Sequence, residues 1–200
     1  DDFEPEEFSL HYQRSLFSGY KTSVRSAFDP LKKSVKEFPL NHQREINLLL
    51  DHMDDLLKRL KKIYDHKIDA DKIRPHGNYN LEAILFRDGD YVITNFEGDV
   101  TFSLTERRLR KSPLTDIANM LNSFHYVAYS ALFQNEPSGR LAEHWFHNFG
   151  QIFIRNYKDL VMNKNFIPGE DDFNMLLDVY QIERYLADLA WGLKQKNIRN

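Results

Sequence analysis

The chain of 200 residues contains no cysteine, and none of its apolar stretches is long. The lack of cysteine excludes a disulfide scaffold and any metal site built on thiolates. No apolar run approaches the roughly 18 residues that a membrane-spanning helix needs, so we expect no membrane partner. A strong charge of one sign is also lacking. The formal net charge of −3 gives no general attraction for nucleic acid, and we expect no nucleic-acid partner.

What is present is typical of a globular protein. Hydrophobic residues make up 42% of the chain and charged residues 28%, which is enough to bury a sizeable core. The first seven residues are mostly acidic, include no initiator methionine and do not resemble a signal peptide. We therefore expect a fragment or processed piece of a longer protein. The absence of cysteine suits a reducing compartment, so we expect a cytoplasmic location.

Two segments in the first third have apolar residues at helical spacing. The first predicted helix runs from Phe8 to about Phe28, and Pro30 is expected to interrupt it. The second runs from Asn41 to about Tyr64, with Asn41 as its N-cap. Lysines near the end of this second helix suit the negative pole of its dipole.

The pattern changes to strand in the middle of the chain. Residues Leu81–Phe86 and Tyr91–Asn95 flank a short segment that contains Asp88 and Gly89, and this arrangement predicts a β-hairpin. Helical spacing returns from Thr115, where the predicted apolar face continues as far as Leu132.

Two further helices are predicted over Gly139–Met162 and Asp171–Lys194, separated by a Pro-Gly pair. The sequence therefore predicts a mainly α fold with one small β-hairpin, in a single domain over residues 1–200. Within it we expect a helical part over 1–73, a loop and hairpin part over 74–111 and a helical bundle over 112–200.

Residues 74–126 carry the most specific pattern. They include His-Gly-Asn-Tyr-Asn-Leu-Glu-Ala over His76–Ala83 and Asn-Phe-Glu-Gly over Asn95–Gly98. Glu-Arg-Arg over Glu106–Arg108 then leads to Ser-Pro-Leu-Thr-Asp-Ile-Ala-Asn-Met-Leu-Asn-Ser-Phe-His-Tyr over Ser112–Tyr126. This combination resembles the maltokinases and the maltokinase-like domains fused to bacterial trehalose synthases. In that family the motifs are His-Gly-Asp-x-His-Leu-x-Gln, Ile-Asp-Phe-Glu-Gly and Glu-Arg-Arg followed by Ser-Pro-Leu-x-Asp-(Val/Ile)-Ala-x-Met-Leu-x-Ser-Phe-x-Tyr.

The resemblance implies a protein-kinase-like fold of the aminoglycoside phosphotransferase sort. This chain would be its C-terminal helical lobe, and the N-terminal nucleotide lobe would precede residue 1. Active relatives use ATP and Mg²⁺ to convert maltose to maltose 1-phosphate. The implied partners are the preceding lobe and a trehalose synthase domain of the parent protein.

Four positions depart from the family pattern. Asn78 replaces the catalytic Asp and Asn80 replaces the His two residues later. Ala83 replaces a metal-binding Gln, and Asn95 replaces a metal-binding Asp. An amide cannot take a proton from the acceptor hydroxyl at neutral pH, and Mg²⁺ prefers carboxylate and phosphate oxygens. We therefore expect no intact catalytic or metal-binding residue and no cofactor for this chain.

Two classes of function stay open. The first is a non-catalytic remnant of a maltokinase that has a structural or regulatory role in a trehalose synthase-type protein. The second is a maltokinase that remains active through an atypical arrangement. Maltose could still bind weakly through His76, Glu97, Tyr180 and Arg184. The last two match a Tyr and a Lys that maltokinases place near the disaccharide, and their spacing puts them on one helix face.

Three other features have alternative interpretations. His125, His144 and His147 could approach a metal ion, but surface or partly buried histidines are the favoured interpretation. Residues 106–111 are either a loop held by salt links, with Asp116 or another acid nearby as partner, or a phosphate-binding or nucleic-acid patch, and the loop is favoured. Aromatic residues cluster in the last third, mostly as expected core, with a minority that could stack on a sugar: Tyr126, Tyr129, Phe133, Trp145, Phe146, Phe149, Phe153 and Tyr157.

Overall fold

A computed structural model describes residues 3–100, 102–132 and 139–198. These residues form a mainly helical structure with two small antiparallel sheets. The helices are α1 (Leu10–Ser34), α2 (Leu40–Asp51), α3 (Met53–Lys61), α4 (Leu104–Arg107), α5 (Leu114–Val127), α6 (Arg140–Val161) and α7 (Glu170–Ile198). The strands are β1 (Glu6–Glu7), β2 (Asp71–Lys72), β3 (Ile84–Arg87) and β4 (Asp90–Ile93).

The chain divides into two compact units. The first unit contains the chain start through Phe8 together with Asp69–Leu177, and the second contains Ser9–Ile68 together with the chain from Asp178 onward. Helix α7 therefore contributes its first two turns to the first unit and its remainder to the second. The division predicted from the sequence at residues 73 and 111 stays a prediction.

Helix α1 is longer than its sequence pattern indicates. Its apolar face is buried in the second unit, and Ser9 caps it by accepting the N–H of Tyr12 at 3.3 Å. The prediction that Pro30 interrupts this helix is wrong, since α1 runs through it to Ser34. Proline costs one backbone donor, but its fixed φ is compatible with a helix. Burial of Phe28 and Leu31 on either side of it offsets that cost.

The helix predicted over Asn41–Tyr64 is two helices rather than one. The N–H of His52 donates to the carbonyls of Leu48 and Leu49, which ends α2, and α3 begins at the next residue. No residue of α2 is fully buried, so packing does not hold the two helices in one line. Asn41 is not the N-cap. Pro39 takes that position, with a φ of −55° and an extended ψ of 148°, and no side chain caps the helix there.

A buried polar side chain ties the second unit together. Gln13 is fully buried, and its Nε2 donates to the carbonyls of Ile63 at 2.6 Å and His66 at 2.8 Å. Its Oε1 accepts the N–H of Ile68 at 3.4 Å. One side chain thus satisfies three backbone groups in the segment that follows α3, where no regular element would pair them.

The first unit contains both sheets. The predicted hairpin is confirmed as β3 and β4, joined by a two-residue turn in which Asp88 and Gly89 have positive φ of 53° and 89°. That geometry is typical of a type I′ turn, which matches the twist of the strands. The second sheet pairs Glu6 with Lys72. Its strands of two residues are too short to leave a sequence pattern.

The remaining predicted helices are confirmed as α5, α6 and α7. The face of α5 buries Leu114, Ile117 and Leu121. Beyond Val127 the α-helix becomes a π-helical segment over Ala128–Leu132, where Leu132 is exposed rather than part of the predicted apolar face. Within the described residues, no helix is both long and apolar enough to cross a membrane.

Candidate functional site

The loop that begins the first motif is held by a single carboxylate. Oδ2 of Asp116 accepts the backbone N–H of His76 at 2.7 Å, and Oδ1 accepts that of Gly77 at 2.9 Å. Asp116 lies in the first turn of α5, within the nearly intact motif Ser112–Tyr126. The loop is therefore fixed to the start of a buried helix, and its conformation does not depend on a ligand.

The imidazole of His76 is oriented by two backbone groups. Its Nε2 lies 2.7 Å from the carbonyl oxygen of Thr94, so this nitrogen carries the proton and donates. Its Nδ1 accepts the N–H of Asn78 at 3.3 Å and is therefore unprotonated. The ring also packs against Phe96, with centroids 4.9 Å apart. His76 thus links the loop to the strand end at Thr94, a role that needs no substrate.

The amide groups of Asn78 and Asn80 bond to each other. Nδ2 of Asn80 donates to Oδ1 of Asn78 at 3.0 Å. Oδ1 of Asn80 accepts the N–H groups of Glu82 at 2.9 Å and Ala83 at 3.3 Å, and so caps the short 3₁₀ turn Leu81–Ala83. The two asparagines therefore serve local structure, and the oxygen where a general base would act already accepts a hydrogen bond.

Ala83 and Asn95, which replace the two metal ligands of the resembled family, also have structural roles. Ala83 is fully buried, and its carbonyl oxygen accepts the N–H of Thr94 at 2.8 Å. Asn95 is exposed, with a left-handed φ of 64°, and its carbonyl accepts the N–H of Gly98 at 3.3 Å. Left-handed backbone is more accessible to Asn and Asp than to other side chains, so the turn itself favours this residue type.

Two glycines bring the motifs together. Gly77 and Gly98 both have positive φ, and a Cβ on Gly77 would lie 3.6 Å from the Cα of Gly98. The aliphatic part of Arg107 packs against Gly98, and its Nη1 donates to the carbonyl of Glu97 at 3.0 Å. The first motif, the second motif and the basic run therefore meet at this point.

Burial shapes the electrostatics around Asp116. Burial raises its pKa above the ordinary aspartate value, although the two loop N–H groups act in the opposite direction. Burial, and then the charge of Asp116, also raises the pKa of Tyr79, and raises that of Tyr157 to about 12. The centre of the site is thus the carboxylate of Asp116, with Tyr79 and Tyr157 nearby. Both of its oxygens accept hydrogen bonds from the loop.

The basic run has a structural role. Ser103 and Glu106 form a capping box at the start of α4. Nη1 of Arg110 donates to Glu6 at 2.6 Å, and Lys72 donates to the same carboxylate at 2.9 Å. The acid that pairs with Arg110 is therefore Glu6, 104 positions away in sequence, rather than Asp116. Asp116 instead binds backbone, because its first-turn position faces the His76 loop.

The four residues predicted to bind sugar lie in different units. His76 and Glu97 belong to the first unit, and Tyr180 and Arg184 to the second, where both lie on α7. Tyr180 is buried, and Arg184 pairs with Asp188 at 2.7 Å. The grouping of all four around one sugar stays a prediction.

Among residues 3–100, 102–132 and 139–198, no group of three or more His, Asp or Glu could hold a metal ion.

The aromatic cluster of the last third includes exposed rings. Tyr126, Tyr129 and Phe149 are exposed, contrary to the expectation that most of the cluster is core. Helices α5 and α6 approach closely at Gly150, where an added Cβ would lie 3.3 Å from Cδ2 of Leu121. They also contact through half-buried rings, with Phe124 against Trp145 and Phe153. Phe133 lies outside the described residues.

Two residues that build the site have no role that the sequence pattern indicates. Asp116 is predicted only as a partner for the basic run, yet it holds the His76 loop. The Oγ of Ser123 accepts the N–H of Leu81 at 3.2 Å and donates to the carbonyl of Met120 at 2.8 Å. The signal that could have indicated both residues is their place in the motif Ser112–Tyr126.

The comparisons support a kinase-like fold. No model of a known protein family matches this chain. Structures of glucosamine kinase superimpose on it with TM-scores of 0.69 for one crystal form and 0.64 for another, at 15% and 14% identity. A glucosamine kinase in complex with glucosamine, ADP and inorganic phosphate gives 0.63 at 15% identity. The matches cover 96–97% of this chain but only 44–47% of the kinases, so the chain spans less than half of their length.

Proposed function

We propose that this chain is a non-catalytic, maltokinase-like C-terminal lobe with a structural or regulatory role in a trehalose synthase-type protein. The observation that carries the proposal is the bond between Asn80 and Asn78. It replaces a catalytic carboxylate with a pair of amides that support each other and cap a turn. The kinase-like fold of the structural neighbours supports the ancestry.

The chemistry of phosphoryl transfer argues against activity. Transfer needs positioning, metal ions that neutralise phosphate charge, and a carboxylate that takes the acceptor proton. The amide of Asn78 cannot take that proton, and general-base assistance is typically worth about 10²–10⁴ in rate. Ala83 has no ligand atom and is buried, while Asn95 offers only a neutral amide. These residues do not fit Mg²⁺, which prefers carboxylate and phosphate oxygens.

A structural role has support in what the lobe has kept. Asp116, Gly77 and Gly98 hold the loops in one arrangement without any catalytic group. Retention of this scaffold beside amides at the acid positions is the pattern expected when the fold is needed and the chemistry is not.

The hairpin gives a candidate contact for the preceding lobe of the parent protein. Phe86 and Tyr91 pack on each other with ring centroids 5.2 Å apart, yet both are exposed. Exposed apolar clusters of this kind are typical of surfaces that a partner covers. Hydrogen exchange of the hairpin amides should therefore be slower in the parent protein than in this chain. Equal exchange in both would remove this contact from the proposal.

The decisive experiment is a phosphotransfer assay on the full-length parent with ATP and Mg²⁺. Maltose is the first acceptor, and glucosamine is included because it is the ligand named for a structural neighbour. The unmodified protein should give no sugar phosphate. A variant with Asn78→Asp, Ala83→Gln and Asn95→Asp should recover activity if only the ligand groups are missing.

Controls separate lost chemistry from lost folding. Asn41→Asp, on the exposed start of α2, changes the same amide to a carboxylate away from the site and should leave the assay unchanged. Thermal unfolding of the triple variant checks that Gln is tolerated at buried position 83. Formation of maltose 1-phosphate by the unmodified parent would overturn the proposal and establish the active maltokinase instead.

Residual maltose binding is a separate question. Calorimetry with millimolar maltose tests whether His76, Glu97, Tyr180 and Arg184 still bind sugar. A heat signal that disappears in Glu97→Gln would support a sensing role. A titration with no heat of binding would show that maltose does not bind, and the structural role alone would stand.

A further inference from the structure

A cleft of about 710 Å³ opens in the second unit between the end of α1 and helix α2. Its lining comes from α1, the 3₁₀ turn Val35–Glu37, α2 and the first residue of α3. No residue of α2 is fully buried, so this cleft separates much of α2 from α1. Its volume is in the range of clefts that hold small organic ligands.

The wall of the cleft at the turn between α1 and α2 is held by its own hydrogen bonds. Nε2 of Gln43 donates to the carbonyl of Phe38 at 2.7 Å, and the N–H of Phe38 donates to the carbonyl of Val35 at 3.2 Å. Oγ of Ser34 donates to the carbonyl of Pro30 at 3.1 Å. The turn therefore keeps its shape without a ligand, and the cleft is preformed.

The apolar part of the cleft lies away from this turn. Phe28 is buried, and Leu50 and Met53 are half-buried. Phe28 lies six residues before the end of α1, and Leu50 lies ten residues after the start of α2. These side chains offer apolar surface to a ligand and no strong hydrogen-bonding group.

Three lysines line the part of the cleft that is nearer to the turn. Lys32, Lys33 and Lys36 are all exposed, and Lys32 and Lys36 lie four residues apart. Among the residues that the structure describes, no ion pair includes any of the three. Their ammonium groups are therefore available to an anion that enters the cleft.

Two exposed acids, Asp29 and Asp51, also line the cleft. Asp51 is the last residue of α2, so it lies with Asp29 at the end away from the turn. The end near the turn is therefore the positive one. Residues 9–68 as a whole contain 12 Lys and Arg against seven Asp and Glu, in a chain with 27 against 30. The surrounding charge thus also favours an anion.

We propose that this cleft binds a small amphiphilic carboxylate, a molecule with one acid group and an alkyl chain. Its carboxylate lies beside Lys32 and Lys36, and its chain packs on Phe28, Leu50 and Met53. A purely polar anion would leave the apolar surface in water, and a neutral apolar molecule would leave the lysines without a partner. The site belongs to the second unit alone, and it does not rest on the proposed function.

Methyl NMR with dodecanoate as the probe tests the site. The chain has four methionines, and only Met53 belongs to the second unit. The ligand efficiency typical of small molecules gives dodecanoate a dissociation constant on the order of 1 mM. Dodecanoate at millimolar concentration should therefore shift the methyl signal of Met53 in a saturable way and leave the other three in place. No shift at Met53, or equal shifts at all four, would overturn the proposal.

Vesicles of anionic phospholipid distinguish a free ligand from a membrane surface. The cleft is recessed between two helices, so vesicles of phosphatidylglycerol should not shift the Met53 signal. A shift as large as that with dodecanoate would make a membrane surface the occupant and would count against a free carboxylate.

Charge variants test the role of the lysines. Lys32→Gln combined with Lys36→Gln should weaken dodecanoate binding by about tenfold. The matched control is Lys61→Gln combined with Lys62→Gln, which removes the same charge from exposed positions at the end of α3 and should change the affinity by less than about twofold. Dodecyltrimethylammonium, which has the same chain and the opposite charge, should bind at least about tenfold more weakly than dodecanoate. An equal loss in both double variants, or equal binding of the cation, would contradict the assignment.

Discussion

Oδ1 of Asp116 accepts the backbone N–H of Gly77 at 2.9 Å, and this bond joins the start of α5 to the loop of the first motif. The partner oxygen does the same for His76. Since hydrogen bonds to a charged group are worth about 1.5–3 kcal/mol each, we expect the loss of both in Asp116→Ala to lower the free energy of unfolding by roughly 3–6 kcal/mol. Urea unfolding measures this. Asp51→Ala, on an exposed position of α2, should change little.

The raised pKa of Asp116 gives this carboxyl a defined pH dependence. A carboxyl whose folded pKa is raised stabilises the fold most below the ordinary aspartate pKa of about 3.9. That contribution is lost as the pH rises through the folded pKa. The difference in unfolding free energy between wild type and Asp116→Asn should therefore change between about pH 3.9 and the raised pKa of Asp116. Above that pKa the difference should be constant. A difference independent of pH would contradict the effect of burial.

We expect Asn80 to stabilise the protein by capping the 3₁₀ turn Leu81–Ala83 rather than to take part in catalysis. Asn80→Ala removes the acceptor of two N–H groups and should cost about 1 kcal/mol of unfolding free energy. Asn80→Asp keeps the capping oxygen and should be close to wild type. Both variants are compared by thermal unfolding. A loss of stability in Asn80→Asp as large as in Asn80→Ala would show that the bond to Asn78 matters more than the cap.

Alanine substitutions at Gly98 and Gly19 should change the free energy of unfolding in opposite directions. Gly98 has a φ of 76°, so Gly98→Ala is strained and should destabilise by about 1 kcal/mol or more. Gly19 lies inside α1, where an added Cβ would meet no atom within 4 Å, so Gly19→Ala should stabilise by about 0.5–1 kcal/mol. Chemical denaturation measures both. Equal effects of the two substitutions would contradict the conformation of the turn at Gly98.

Strand β1 should separate from β2 at low pH. The hydrogen bond from Lys72, and then the charges of Lys72 and Arg110, lower the pKa of Glu6. A lowered carboxyl pKa stabilises the fold above the ordinary glutamate value and loses that contribution as the pH falls through the lowered pKa. The protection factors of the β1 amides, which correct for the intrinsic pH dependence of exchange, should therefore fall in acid for wild type. In Glu6→Gln the protection should already be lower at neutral pH and change less on acidification.

The sequence by itself determined the elements whose signals are local. The Asp88-Gly89 turn, helix α5 within the motif Ser112–Tyr126, and helices α6 and α7 are patterns of spacing and residue type, and the structure has them close to where the sequence predicts. The kinase-like fold also followed from residues in the chain, although the maltokinase assignment stays a proposal.

Only the tertiary structure decided how the motifs contact each other. The bonds from Asp116 to the His76 loop and from Glu6 to Arg110 join residues about 40 and 104 positions apart. No local pattern encodes such a choice, because several acids could satisfy each donor. Burial also decided two helix boundaries. Burial of the apolar face of α1 offsets the poor helix preference of Pro30, so α1 continues past it. No residue of α2 is fully buried, so nothing offsets the break at His52.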